Sequence, residues 1–478
     1  MRRNIAVSFL QKHLQLLVSI GSVMVLSRLI SPEETGVFSI GVAIAALTHA
    51  VRDFGVGNYL VKEAEITPPK VQTAFTISMM IAMVLSLVLA VVAIPVANFY
   101  GKPEVATIIW ITTAGLLISP LSTVNLALLL RGNRFLDMLK ISMASALVNA
   151  GVAILLAWLG FGAKSLALGQ LASSVTLVVV SNLLWTERGL YRFSLQHYPQ
   201  IARFGMHMTV FGVTEQLGAR ASDLIVGKLV GFSAVGLLSR SGTLITMVQD
   251  SIQNSVMPVV LTNMAGDARK TGNVTPLLLK SIQYFTVVLW PVFAVVALCA
   301  HDAVLVLFGA KWVEAAPLTS ILCWGAACAA LSSLTGTICN ATDRADLLSR
   351  YSLVAQCIRI TLLLAGALTG DLRTVALALV AAEALQCIAA YIFVRRAVQI
   401  PLSAVLAMCW RSLIVTVLVS AVIWALTTWL VAIPLVRLLI TGLTAGVAWI
   451  AAVFIVRHPA STELRMLLAH VMTRVRAS

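Results

Sequence analysis

Fourteen apolar runs, each about as long as a bilayer is thick, follow one another along this 478-residue chain. They cover approximately residues 7–27, 36–60, 73–98, 105–130, 139–160, 164–186, 204–229, 235–260, 281–305, 315–339, 350–369, 373–394, 411–432 and 434–456. A helix needs about 20 apolar residues to cross the hydrocarbon core of a membrane, so each run is a candidate span. Charged residues make up 11% of the chain, against about 25% in a soluble protein. No long polar block interrupts the runs, which excludes a sizeable soluble domain. The expected fold is an all-α multi-pass membrane protein of about fourteen transmembrane helices. Arg2 and Arg3 before the first run mimic a secretory signal. That run continues to about Leu26 with no small-residue cleavage site, so it reads as the first membrane helix.

The net charge is +15. No basic soluble module accompanies it, so nucleic acid is excluded as a partner, and most of the excess reads as topology signal. With the N-terminus in the cytoplasm, 24 of the 34 Lys and Arg fall in inside loops and 7 in outside loops. Both termini are therefore expected in the cytoplasm. The other 3 are Arg220, Arg240 and Arg359, which lie within apolar spans. A charge at the bilayer centre costs at least about 2.5–3.5 kcal/mol, so such residues normally face a wet cavity or a partner. A cationic passage for something anionic follows as the expectation. The seven cysteines all lie in the second half, with no C-x-x-C and no His at metal spacing. They read as small buried apolar residues, and neither a metal nor another cofactor is expected.

An internal repeat lies at an offset of about 200 residues. Arg28-Leu29-Ile30 aligns with Lys228-Leu229-Val230, Gly36 with Gly236, and Ser39 with Ser239. Phe99-Tyr100-Gly101 resembles Leu307-Phe308-Gly309, and Gly132-Asn133-Arg134 resembles Thr342-Asp343-Arg344. The expected organisation is two six-helix lobes, 1–186 and 204–397, in parallel orientation. A cytoplasmic linker, 187–203, joins them. Two further helices fill 398–457, and a basic amphipathic tail, 458–478, follows. Parallel repeats of this kind suit alternating access.

Polar residues should mark helix faces turned from lipid. Gln11, Gln15, Ser19 and Ser22 form one stripe on the first helix. Gln216, Arg220 and Asp223 form another on the seventh; His49 and Asp53 share a face of the second with Arg52 beside them; Arg240, Asp250 and Asn254 share a face of the eighth. Candidate substrate-binding residues are Arg220, Arg240, Arg359, Arg52, Asp53, Gln15, Ser19, Gln216, Asp223, Asp250 and Asn254. Candidates for a coupling ion or proton are His49, Glu215 and Glu383. Each has a plainer reading: Ser and Gln stripes also glue helices together, Arg220 with Asp223 three residues on could be a neutral packing pair, and Arg240 could snorkel.

Ser27-Arg28-Leu29-Ile30-Ser31-Pro32-Glu33-Glu34-Thr35-Gly36-Val37-Phe38 closes the first helix and opens the second, and Asp53-Phe54-Gly55-Val56-Gly57 closes that one. This pair resembles the N-terminal signature of the polysaccharide-transport (Wzx-type flippase) branch of the multidrug/oligosaccharidyl-lipid/polysaccharide exporter superfamily. The second-lobe copy departs from it, with Phe232 where Pro32 would align, so no residue role is carried to that stretch. The resemblance implies a V-shaped, two-lobed transporter with a cationic cavity lined mainly by helices 1, 2, 7 and 8. It implies export of an undecaprenyl-diphosphate-linked oligosaccharide across the bacterial inner membrane. Membrane lipids are partners under this reading, and polymerase or chain-length machinery is a further one. Lipid II flippases, drug antiporters of the same superfamily and membrane-embedded polymerases or glycosyltransferases are the rival readings.

Overall fold

The computed structural model describes residues 2–53, 56–63, 65–185, 191–196, 198–250, 275–342, 344–462 and 465. Every regular element among them is helical. The expected tail helix from Ser461 lies mostly outside the described residues, as do Asn254 and part of the 187–203 segment.

The first half holds α1 (Arg2–Leu29), α2 (Pro32–Asp53), the short α3 (Val56–Lys62), α4 (Pro68–Tyr100), α5 (Pro103–Ile118), α6 (Pro120–Arg131), α7 (Phe135–Trp158) and α8 (Ala163–Leu184). Then come α9 (Tyr198–Leu229) and α10, residues 232–250. The second half holds α11 (Thr275–Leu298), α12 (Ala300–Leu307), α13 (Ala315–Ser332), α14 (Thr335–Ala341), α15 (Ala345–Ala367), α16 (Leu372–Ala397), α17 (Leu402–Trp429) and α18 (Pro434–Ile455). Among the described residues nine of these helices, or ten if α5 and α6 form one span, are long and apolar enough to cross a membrane, and the remaining helices make the total roughly consistent with fourteen. The chain is an all-α, multi-pass membrane protein.

Local chemistry sets the breaks. Ser31 and Glu34 form a capping box at the start of α2: the Ser31 N–H donates to Glu34 Oε2 at 2.8 Å, and the Glu34 N–H to Ser31 Oγ at 3.2 Å. Pro32 takes the first helical position, where its missing N–H costs nothing. Pro120 breaks the fourth crossing, leaving α5 and α6 bent by 50°, because proline removes a helical donor and clashes with the preceding turn. Gly101 ends α4 and Gly309 follows α12, with φ of 71° and 92°. Only glycine adopts such angles cheaply, and these are the glycines that the repeat aligns.

Two compact units result, Met1–Ser239 and Arg240–Ser478, with the division inside α10. In the first, α7 packs along α8 and α1, α5 against α4 and α8, and α2 against α9. Leu26 of α1 and Ile30 just beyond it meet Ala153 and Ala157 of α7. In the second, α11 packs against α13 and α17, α16 lies against both α13 and α15, and α18 lies on α17. A bidentate pair from Arg437 to the buried Asp302 carboxylate ties α18 to α12. Trp449 Nε1 donates to the Val287 carbonyl at 2.7 Å, tying it to α11. Val84, Leu87, Val88 and Val91 on α4, and Leu443 and Val447 on α18, are exposed. Apolar faces of that extent are stable only against acyl chains or another protein.

Several helices begin earlier than the apolar runs that mark them, α9 and α17 among them. α9 starts at Tyr198 rather than near 204. α17 starts at Leu402, which takes Arg411 into the helix; its guanidinium reaches the Arg457 carbonyl at 3.2 Å, so the helix need not break to satisfy the charge.

Candidate functional site

The polar stripe of α1 divides in two. Gln11 Nε2 donates to Ser142 Oγ of α7 at 2.9 Å, which is interhelical glue. Gln15 and Ser19, one and two turns further along, stay exposed. A span that carries uncovered amide and hydroxyl groups in its central turns needs water or a polar partner there, because acyl chains supply no hydrogen bonds.

On α9, Arg220 Nη1 lies 3.8 Å from Asp223 Oδ2, with 38% of the arginine side chain exposed. That separation is loose for a charge-assisted hydrogen bond. Arg220 Nε is buried with no partner among the described residues. Gln216 and Glu215 are half-buried one turn back. The guanidinium is thus accessible and only weakly neutralised. On α2, Arg52 is half-buried in the last turn, while the side chains of His49 and Asp53 lie outside the described set.

Arg240 on α10 is 8% exposed. Its guanidinium carbon stands 5.2 Å from the centre of the Trp312 ring and 6.0 Å from that of Phe308. No carboxylate lies within ion-pair distance among the described residues, and Arg240 Nε has no acceptor. The next residue, Ser241, donates to the Ala315 carbonyl at 3.1 Å, which pins this turn of α10 to the start of α13. Arg240 is therefore a fixed cation held by aromatic faces, an arrangement worth about 2 kcal/mol when desolvated. Asp250 is exposed at the end of the described part of α10.

Arg359 on α15 and Glu383 on α16 meet at 3.0 Å, with 27% and 23% of their side chains exposed. Sequence spacing alone does not reveal this pair, because the two residues lie 24 apart on neighbouring spans.

A further cluster escaped the sequence reading. Where α2 begins and α9 ends, Lys228 Nζ donates to the Phe99 carbonyl at 2.5 Å and stands over the Phe99 ring at 4.2 Å. Tyr100 Oη donates to the Leu224 carbonyl at 3.0 Å. Lys102 pairs with Glu33 at 2.7 Å and lies 6.0 Å from the Phe232 ring. At its centre are two glycines. A Cβ on Gly36 would fall 1.9 Å from the Phe232 carbonyl oxygen, and one on Gly236 2.0 Å from that of Pro32. The aligned pairs 32/232 and 36/236 thus make the same contact in exchanged roles. The signal was present in the repeat, but the loss of Pro32's counterpart at Phe232 obscured it, since the contact uses backbone atoms.

The sequence pattern of a known family, described as Polysaccharide biosynthesis protein, matches residues 25–317. The chain belongs to that family. It is 29% identical over 322 residues to the succinoglycan biosynthesis transport protein ExoT of Rhizobium meliloti, covering 67% of this chain and 65% of ExoT. The match therefore spans just under two thirds of that relative's length. Among solved structures, the lipid II flippase MurJ in its inward closed conformation shares the fold with a TM-score of 0.77, over 97% of this chain and 100% of that one, at 15% identity. An inward-facing MATE family transporter of the MOP superfamily shares it at a TM-score of 0.58 and 14% identity, over 80% and 94% of the two chains. These relatives are named for transport, and the fold is the one shared with the flippase and the MATE transporter.

Proposed function

We propose that this protein is a flippase that carries an undecaprenyl-diphosphate-linked oligosaccharide repeat unit across the bacterial inner membrane, with both termini in the cytoplasm. It would work by alternating access through a cationic cavity. The observation that carries the reading is Arg220: a guanidinium in the C-terminal half of α9, 38% exposed and 3.8 Å from Asp223. A diphosphate is the partner it fits, because guanidinium donors match phosphate oxygens in geometry and charge. Gln15 and Ser19, uncovered on α1, provide the kind of surface that sugar hydroxyls need. Arg240, held against Trp312, supplies a second fixed positive charge. Family membership supports a polysaccharide destination, with polymerase or chain-length machinery as the next partner. α1 carries no Asp or Glu, and a cationic drug would be repelled by these arginines, so the drug-antiporter reading is disfavoured.

Loss of the gene should trap lipid-linked repeat units in the cytoplasmic leaflet and abolish the surface polymer, with drug tolerance unchanged. Arg220→Ala should reproduce the trapping while the protein remains folded in the membrane. Normal polymer in the Arg220→Ala strain would remove the headgroup role.

A further inference from the structure

The α15–α16 hairpin of the second unit carries more polar chemistry than an ion pair requires. A tight turn fixes its register: Gly370 adopts φ 73° and the Asp371 carboxylate caps α16 by accepting from the Arg373 and Thr374 N–H groups. With Arg359 bonded to Glu383, the next level of the antiparallel hairpin places Gln356 opposite Gln386. Glu383 and Gln386 are i and i+3 on α16, so they share a face. Gln386 is 8% exposed. Gln356 Oε1, Gln386 Nε2 and Arg359 Nε are all buried without a partner among the described residues. An orphaned buried donor or acceptor forfeits the hydrogen bond it had with water and gains none in return. Three such groups lie at adjacent levels of the hairpin that holds the Glu383 carboxylate.

The idle groups fit a protonated Glu383. A carboxylate accepts only, whereas a carboxylic acid donates one hydrogen bond and accepts others. Gln356 Oε1 is a free acceptor for the acid's O–H, and Gln386 Nε2 a free donor for its carbonyl oxygen. We propose that Glu383 binds a proton and that this releases Arg359, so that export is linked to proton uptake within the second unit; the link to export rests on the function proposed above. In that step a proton from water adds to one carboxylate oxygen of Glu383. No covalent bond of the protein breaks and no electron is transferred. The ion pair dissolves, and the site passes from net zero to one positive charge on Arg359.

The surroundings hold little that could compete. From α13, Gly325 approaches Glu383 Cγ, its Cβ position lying 3.5 Å away, and the Cys328 thiol faces the carboxylate. Cys387 faces it from α16 itself. At the α14 side, Cys339 faces Arg344 and Asp346, which pair with each other at 3.2 Å. Arg359 is the counter-charge that Glu383 faces.

Two measurements on the full-length protein test this. Infrared difference spectra of purified protein on acidification should show the carbonyl band of a newly protonated carboxylic acid, and Glu383→Gln should lose it. In proteoliposomes loaded with a fluorescent polyprenyl-diphosphate disaccharide, translocation by the unmodified protein should respond to an imposed pH gradient at zero potential. The double variant Arg359→Gln/Glu383→Gln, which leaves no lone buried charge, should lose that response. A band that persists in Glu383→Gln, or a gradient response that persists in the double variant, overturns the proposal. Failure of the unmodified protein to move the probe under any condition counts against the export reading instead, and the infrared band then decides the proton site alone.

Discussion

At the scale of single residues, two buried groups set most of the testable stability. Asp302 is 4% exposed and receives both arms of Arg437. Removing one partner of a buried pair strands the other charge, at a cost of about 3–5 kcal/mol. Because 28% of the Arg437 side chain is exposed, Arg437→Ala should fall at the lower end of that range, and a detergent melting curve should show the loss. A paired apolar replacement, Asp302→Leu with Arg437→Met, should recover most of it. His458 is fully buried at the end of α18. Its Nδ1 accepts from the Ala460 N–H at 3.1 Å, leaving Nε2 3.4 Å from Ser412 Oγ, which in turn receives the Thr286 hydroxyl. Burial, and then the charge of Arg411, push its pKa down to about 4. The fold therefore holds the neutral ring, while an unfolded histidine titrates near 6.5. Between those values the unfolded state binds the extra proton, so stability falls as pH drops from about 6.5 towards 4 and is flat above. Melting temperatures measured across that window should lose this component in His458→Gln. Neither network was legible in the sequence. Asp302 and Arg437 are 135 residues apart, and a histidine beyond the last apolar run reads as tail. Arg220 with Asp223 was legible, because an i,i+3 pair depends only on helical spacing.

At the scale of elements, hydropathy read the spans well, since a bilayer imposes length and apolarity on each helix independently of its neighbours. It read their internal breaks poorly. Pro95 and Pro291 sit inside continuous helices, whereas Pro120 divides α5 from α6. The same residue type gives two outcomes because neighbouring helices decide whether the freed carbonyl is satisfied. The glycine contact at the start of α2 belongs to this scale. Gly36→Ala would drive a methyl group into the Phe232 carbonyl. Backbone cannot step aside as a side chain can, so a loss of about 1–3 kcal/mol is expected. Gly21 on α1, with nothing within 4 Å of its Cβ position, should accept alanine without loss. Comparing the two melting temperatures, together with surface-polymer yield in each strain, checks the contrast.

At the scale of the whole molecule, the packing was not legible in the sequence. Compactness divides the chain at Ser239/Arg240, and α9 packs on α2 within the first unit. Residues 191–196 are pinned to the first unit: Tyr191 Oη donates to the Leu121 carbonyl at 3.0 Å, and the Ser194 N–H to Thr76 Oγ1 at 3.1 Å. Such contacts depend on which surfaces meet and leave no local trace in composition. The positive-inside pattern yields a direct prediction of orientation. In a cysteine-free background, Lys164→Cys should react with a membrane-impermeant thiol reagent in intact spheroplasts, and Lys140→Cys only after lysis. Both positions are exposed, so the opposite labelling pattern would invert the topology.

The exchanged contacts of Gly36 with Phe232 and Gly236 with Pro32 have the form of an isologous contact, the kind that identical subunits make across a twofold axis. The contact uses backbone atoms, so it tolerates Phe232 in place of a proline while requiring glycine at both 36 and 236.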